Sequence, residues 1–437
     1  MKKSLLLCGA LALLTACGLS SCGPAPQDPK KQIGAHPLLP DIHQYLLPPM
    51  HVVKNIGWRG GAMPQPAPGL KVSAFARDLK NPRSLYVLPN GDVLVAETDG
   101  PPGPVNRPKE FVMNWIEMMA HSSVKAGQRI LLFRDTNGDG IPDQRSVFLD
   151  HLHSPFGMVL VGHDFYVANT DGVMHYPYTE GQMRITAPGN LLTPLPGGPI
   201  DHHWTKSLTA SPDGSKLYAG VGSNSNITEN GIEAEKDRAA IWEIDRASGA
   251  HRLFATGLRN PNGLTFEPAT HTLWAVVNER DELGPDLVPD YLTSVKDGAF
   301  YGWPYSYYGQ HVDPRVMPQR PDLVAKAIPP DYALSSHVAP LGLVFDTGAA
   351  MGAKYQGGAF VGEHGSWDRE ELNGYRVVFI PFANGKPSGM AQDVLSGFVD
   401  GDGAHGRPVG LALSKQGDLL VADDTGGVVW RISAAPR

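Results

Sequence analysis

The chain has 437 residues and a formal net charge of -7 at neutral pH, with 37 Lys and Arg against 44 Asp and Glu. No basic run interrupts it, which gives no support for nucleic-acid binding, and no amphipathic basic stretch suggests a membrane-surface helix. Gly (50) and Pro (39) together make roughly a fifth of the residues, well above average usage, a balance that favours many short strands and turns over helices.

At the start, Lys2 and Lys3 precede an apolar run from Leu5 to Leu14 that is too short to span a bilayer, as in an export signal. All three cysteines, Cys8, Cys17 and Cys22, fall in this region. Both Leu14-Thr15-Ala16-Cys17 and Leu19-Ser20-Ser21-Cys22 have the form of bacterial lipoprotein cleavage boxes. Residues 1–22 therefore read as a lipoprotein-type signal, with Cys17 or Cys22 carrying the lipid; a secreted protein with a cleaved signal is the alternative. The expected location is the periplasmic face of a bacterial membrane, the outer membrane included, with contact to lipid only through the anchor. No thiol chemistry is available to the rest of the chain. Residues 23–65, rich in Pro and Gln, read as a tether followed by an irregular arm.

From residue 66 to 437 one pattern recurs six times: a lead-in, an apolar strand, a Gly-type turn, a second apolar strand and a polar loop. The copies begin at Asn81, Ser154, His203, Asn260, Ala339 and Arg407. A hairpin of this size cannot bury its apolar face alone, so the repeats predict an all-β, six-bladed β-propeller. Further strand-like runs begin at Leu70, Arg129, Arg145, Ala239, His251 and Tyr375. The last run, Val428 to Ile432, is expected to pair with Leu70 to Ala76 and so close the ring, leaving no open edge.

Antiparallel pairing sorts the chain into two faces. Turns such as Pro89-Asn90-Gly91-Asp92 lie on a plain face. The lead-ins carrying Arg83, His203, Arg259 and Arg407 lie on the other, with long insertions at about 98–128, 222–239 and 278–336, where binding and chemistry usually sit. The run Asp135 to Asp143 has EF-hand-like spacing with Gly140 at the sixth place. Its twelfth position is Ser146 rather than Glu, so it reads either as a second Ca²⁺ site or as a tight Asp/Gly turn.

The segment from Arg259 to Pro304 contains RNPNGL, NERDEL and DYLTSVKDGAFYGWPYSYYG. On these runs the chain, over about residues 70–432, resembles the pyrroloquinoline-quinone-dependent sugar dehydrogenases, in particular their sorbosone and pyranose dehydrogenase branch. The resemblance implies a quinone bound flat over the decorated mouth with Ca²⁺. It implies that His203 is the general base for an aldose or sugar aldehyde, with His202 one residue away, and that Arg259 sits at the quinone oxygens with Asn260 on the same edge. Arg407 matches a basic position ahead of the last hairpin, and Arg83 holds the equivalent place in the first repeat. Near Asp368 the best-known members carry a lysine that this chain lacks, so His364 or Arg369 stands as its substitute. The segment matching the metal's carbonyl donors is Glu279, Arg280 and Asp281. Trp204 is the candidate for substrate contact, whereas most of the aromatic run Tyr301 to Tyr308 is expected to pack its loop onto the scaffold.

No CxxCH haem signature occurs, so a separate electron acceptor is expected. Two other readings stay open: a Ca²⁺-dependent lactonase-type hydrolase, for which Asn224, Asn260 and Asp423 are the available ligands, and a non-catalytic binding propeller.

Overall fold

The computed structural model describes residues 28–44, 51–102, 125–348 and 350–436; the signal with Cys17 and Cys22 lies outside them, as do residues 103–124 of the first insertion. Among the described residues, helix is confined to one α-turn at Pro321–Val324 and short 3-10 segments. Everything else ordered is strand, most of it in six antiparallel sheets of at least four strands, with one three-stranded and two two-stranded sheets besides.

Each of the six hairpins read from the repeat forms an antiparallel pair and supplies the first two strands of a sheet. Sheet I comprises Pro82–Val87, Val93–Glu97, Arg129–Arg134 and Gln144–Leu149. Sheet II comprises Gly157–Val161, Asp164–Asn169, Gly172–Pro177 and Asn190–Pro194. Sheet III comprises Lys206–Ala210, Lys216–Val221, Ala240–Asp245 and His251–Thr256. Sheet IV runs through Asn260–Phe266, Leu273–Asn278, Pro289–Ser294 and Tyr332–Ser336. Sheet V runs through Pro340–Phe345, Ala359–Glu363, Arg376–Ile380 and Gln392–Ser396. Sheet VI joins Pro408–Leu413, Leu419–Asp423 and Val428–Ala434 to Leu70–Ala76. That last pairing sets Ile432 opposite Val72 and Trp430 opposite Ala74, so both ends of the domain share one sheet.

The second strands are buried along all or nearly all of their length, completely so in Val93–Glu97 and Leu419–Asp423. They read as unbroken apolar runs because sheets pack on both of their faces. Outer strands gave no such signal. Asn190–Pro194 is mostly exposed, and Pro289–Ser294 is buried throughout without alternation. The second of these, with Tyr332–Ser336, turns the two ends of the 278–336 insertion into sheet.

The first strands of successive sheets contact one another in chain order, and that of sheet VI contacts that of sheet I. The arrangement is propeller-like. Two glycines set how closely these strands converge. A Cβ on Gly342 would lie 2.2 Å from the Val409 carbonyl oxygen, and one on Gly410 would lie 2.5 Å from that of Arg83. Both obstacles are backbone of the next sheet, which cannot rotate away. Phe156, just ahead of sheet II, meets Leu341 of sheet V and Val409 of sheet VI in an apolar cluster against Trp204.

The arm before the repeats covers exposed sheet edges, a common device against unwanted pairing. Ile33–Gly34 pairs with Tyr332–Ser336, and Gln65–Pro66 pairs with Gln392–Ser396. Trp58 donates to Asp423 Oδ2 at 2.6 Å and stacks on His405.

Replacing Gly342 with Ala forces apart backbone where the first strands of neighbouring sheets meet. We expect a loss of about 1–3 kcal/mol, the usual range for overpacking, measured as a lower denaturant midpoint; an unchanged midpoint would show that the strands separate freely there.

Candidate functional site

Because each hairpin doubles back, the lead-in to its first strand and the exit from its second lie at the same end. Backbone hydrogen bonds lace these segments together. His203 N–H donates to Ser223 O, Ser223 N–H to Arg259 O, His364 N–H to Ala339 O and Asp424 N–H to Arg407 O. The residues expected at a site are thereby gathered at one end of the sheets, in two neighbouring groups.

The first group centres on His203. Its Nδ1 lies 2.8 Å from Ser223 O and 3.0 Å from Ser223 Oγ. A carbonyl only accepts, so Nδ1 carries the proton and donates, leaving Nε2 with a free lone pair. Burial, and then the nearby Arg259 charge, hold the imidazole well below its ordinary pKa. His202 stands edge-on to it, 4.5 Å between ring centres. Asn260 is buried, and its Oδ1 has no hydrogen-bond partner among the described residues. A Cβ on Gly222 would meet Asn260 Oδ1 at 2.4 Å and His203 Cβ at 2.5 Å, so only glycine fits between them.

Arg259 is buried and tied to the loop behind it. It donates to Glu279 O at 2.6 Å, Asn278 O at 3.3 Å, Asn226 O at 3.2 Å and Asn226 Oδ1 at 3.1 Å. Asn226 is the hub: its Oδ1 also accepts from Asp281 N–H, its Nδ2 donates to Asp281 O, and its carbonyl accepts from Trp303 Nε1. Tyr301, Trp303, Tyr307 and Tyr308 are all buried, in keeping with packing of that loop.

The second group surrounds Asp424. Its Oδ2 accepts from Arg83 Nη1 at 2.8 Å and lies 2.8 Å from His364 Nε2. Burial alone would raise the Asp424 pKa, but His364, Arg83 and Arg407 hold it below the usual carboxylate range. Burial, then Arg407, pushes His364 down to about 4. Arg407 donates to the carbonyls of His364 and Gly365 and lies 5.0 Å above the Tyr375 ring. Arg83 Nε is buried without a partner among the described residues. Trp204 joins the two groups: it follows His203 in the chain, and the Arg83 guanidinium lies 5.6 Å over its ring.

One expected side chain, Arg369, is directed elsewhere, and that of Arg280, expected to contribute only its carbonyl, is engaged in an ion pair. Arg369 is buried in a clamp with Pro285 O, Ser336 Oγ and Asp286. Arg280 is buried against Asp313 at 2.9 Å. Of the carbonyls expected to meet a metal, those of Glu279 and Asp281 each already accept one hydrogen bond and keep a second lone pair. Burial raises the Glu279 carboxyl to about 7. Burial also opposes ionisation of Asp281, yet His337 and Arg259 bring it down to about 2. Asp423, a ligand in the lactonase reading, is enclosed by Trp58, Trp430, Arg407 N–H and Gly426 N–H.

The Asp135 loop lies at the opposite end, beside a cavity of 150 Å³ lined by Asn90, Asp92, Arg134, Asp135, Lys415 and Arg431. Asp135 there accepts from Gly138 and Gly140 N–H, and Asp143 from Thr136, the bonding of a tight turn.

Reading the sequence missed Ser223, Asn226, Asp424 and His337. The first three follow second strands and could have been found by aligning hairpin exits as carefully as lead-ins. His337 carries no local signal, since its partners are distant in the chain.

The low His364 pKa has a stability consequence. Because the folded value lies below the ordinary imidazole value of about 6.5, the neutral ring's contribution is complete above that pH and is lost as pH falls toward about 4. An NMR titration of the His364 ring is expected to have its midpoint near 4, and Asp424→Asn should lower it further by removing the anion that touches the ring. A midpoint at the ordinary value would contradict this arrangement.

Residues 165–366 match the family model described as Glucose / Sorbosone dehydrogenase, and residues 321–435 match a model described as TrAA12-like. An uncharacterized protein of Borreliella burgdorferi is 28% identical over 241 residues, 54% of this chain and 62% of that one. The pyrroloquinoline quinone-dependent pyranose dehydrogenase of Coprinopsis cinerea is 27% identical over 294 residues, 53% of this chain and 39% of that one. The chain thus spans less than two thirds of either relative. The holo form of the pyranose dehydrogenase PQQ domain from Coprinopsis cinerea superposes with a TM-score of 0.69 at 20% identity, covering 87% of this chain and all of that domain. By sequence over residues 165–366 and by fold over most of its length, the chain is similar to the quinone-dependent glucose, sorbosone and pyranose dehydrogenases.

Proposed function

We propose that the protein is an exported quinoprotein oxidoreductase, a six-bladed β-propeller that oxidises an aldose or sugar aldehyde with pyrroloquinoline quinone and Ca²⁺. The observation that carries the reading is the pinned His203, whose Nε2 lone pair is free beside Arg259, with Arg83 and Arg407 at the same end of the sheets. Its site residues fit a flat tricarboxylate. The buried Arg83 Nε and Asn260 Oδ1 are without partners among the described residues, and Arg83 and Arg407 supply cationic donors for carboxylates. Gly222 keeps the space between His203 and Asn260 narrow and free of side chain.

In this reading the quinone, when bound, supplies a two-electron hydride acceptor, and Ca²⁺ supplies the charge that polarises it. His203 Nε2 takes the proton from the substrate hydroxyl as the hydride leaves the adjacent carbon. Its low pKa keeps it unprotonated and ready at neutral pH. Arg259, held by Asn226 and the Glu279 carbonyl, is preorganised to stabilise negative charge developing beside it. Trp204, with Arg83 over its ring, is the candidate for contact with the sugar. The free lone pairs of the Glu279 and Asp281 carbonyls would hold the Ca²⁺, and a separate acceptor would take the electrons. Confinement of Asp423 by Trp58 and Trp430 disfavours the lactonase reading.

Reconstitution with quinone and Ca²⁺, followed by dye reduction across aldoses and sugar aldehydes, tests the proposal. Quinone-dependent turnover is expected, and His203→Ala should lower kcat by roughly 10²–10⁴-fold, the usual worth of a positioned base. Turnover retained in that variant would remove His203 from the role, and a lack of response to quinone would remove the reading altogether.

Export as a lipoprotein belongs to the same proposal. Serine in place of Cys17 or of Cys22 should release the protein from the membrane fraction in one case only, and absence of the unsubstituted protein from that fraction would favour plain secretion.

A further inference from the structure

Behind the Arg259 loop, three side chains from separate parts of the chain meet. Asp281 comes from the exit of sheet IV, His337 from the turn between sheets IV and V, and Asp368 from the loop after Glu363. One ligand atom from each lies within 4.8 Å of the others. Asp368 and His337 are buried, at 3% and 7% exposure. Asp368 Oδ2 accepts a long hydrogen bond of 3.3 Å from Glu282 N–H, but its Oδ1 is buried with no partner among the described residues. Burial, and then the Asp281 charge, raise the Asp368 carboxyl to about 7, so its ionised form with an orphaned oxygen is costly unless something positive reaches it.

The histidine explains what that something is. Its Nε2 lies 3.1 Å from the Gly284 carbonyl, which can only accept, so Nε2 carries the proton. Its Nδ1 faces Asp281 Oδ1 at 3.2 Å. A ring nitrogen donating to a backbone carbonyl, with the other left to face a carboxylate, is how metal-bound histidines are commonly fixed in tautomer and orientation. Asp281 is itself steadied from the other side by Arg259, 3.5 Å from its Oδ2.

We propose that Asp281, His337 and Asp368 bind a transition-metal dication such as Zn²⁺, at a side-chain site separate from any carbonyl-held Ca²⁺. The imidazole nitrogen decides the class, because Ca²⁺ takes oxygen ligands whereas Zn²⁺ accepts nitrogen and carboxylate together. Bonds of about 2.1 Å place any two ligands on one ion at most about 4.2 Å apart, a small contraction from the spacing present. The ion would tie sheet IV, the turn to sheet V and the loop after Glu363 together behind Arg259. The inference does not depend on the dehydrogenase reading, since binding needs neither quinone nor sugar.

The test uses the full chain stripped with a chelator and then titrated with Zn²⁺ by calorimetry, with bound metal counted by elemental analysis. One equivalent of Zn²⁺ per chain is expected, together with a higher thermal midpoint, and Co²⁺ in its place should give a visible absorption band of a nitrogen-containing site. Asp368→Asn keeps shape and loses charge, and it should weaken Zn²⁺ at least tenfold; His337→Gln should abolish the Co²⁺ band. If the wild type takes up no stoichiometric Zn²⁺, if it prefers Ca²⁺, or if both variants bind as it does, the site is instead an imidazolium held between carboxylates and the proposal fails. Quinone-dependent turnover persisting in a chain that binds no Zn²⁺ would overturn this inference and leave the dehydrogenase reading standing.

Discussion

The close approach of the first strands of successive sheets is the constraint on which the rest depends. Neighbouring backbones at Gly342 and Gly410 come so near that no side chain fits. That convergence brings lead-ins and exits from all the sheets within hydrogen-bonding reach of one another. Ser223, for example, bridges the His203 and Arg259 segments through its backbone. A site assembled this way is spread across the sequence but rigid in space, because each contributing residue stands at the end of a buried strand.

Charge at this end is arranged by burial rather than by exposure. Two imidazoles, His203 and His364, are held neutral by the loss of solvent and by nearby guanidinium groups. The buried acids divide into two kinds. Asp281 and Asp424 stay ionised because cations or imidazoles touch them, whereas Glu279 and Asp290 are pushed up to about 7 by burial. Such separation of titrating groups by environment is a frequent property of functional sites, and here it coincides with the orphaned atoms of Arg83 and Asn260. Arg259 links the two themes, as it depresses His203 while its own donors anchor the acidic loop.

Much of this was legible beforehand, and the reason is periodicity. A repeat with two apolar strands about a turn announces its hairpins, so all six pairs and the joining of Val428–Ala434 to Leu70–Ala76 could be anticipated. The outer strands could not, because an exposed edge such as Asn190–Pro194 has little apolar signal. The lead-in residues His203, Arg259, Asn260 and Arg407 were identified from motif and position. Arg369 sits beside a motif yet points into a clamp with Asp286 and Ser336, since side-chain direction within a loop is set by neighbours far along the chain.

What the sequence determined alone was the β architecture, the division into a plain and a decorated end, and the residue types available at the decorated one. These rest on local pattern and on antiparallel geometry. The tertiary structure alone decided which donors were already committed: Arg259 to Asn226 and Glu279, Asp423 to two tryptophans, His203 to Ser223 through one nitrogen only. It also brought Asp281, His337 and Asp368 together from three separate segments. Hydrogen bonds and burial between distant segments leave no trace in local composition, because they come into being only when the sheets pack.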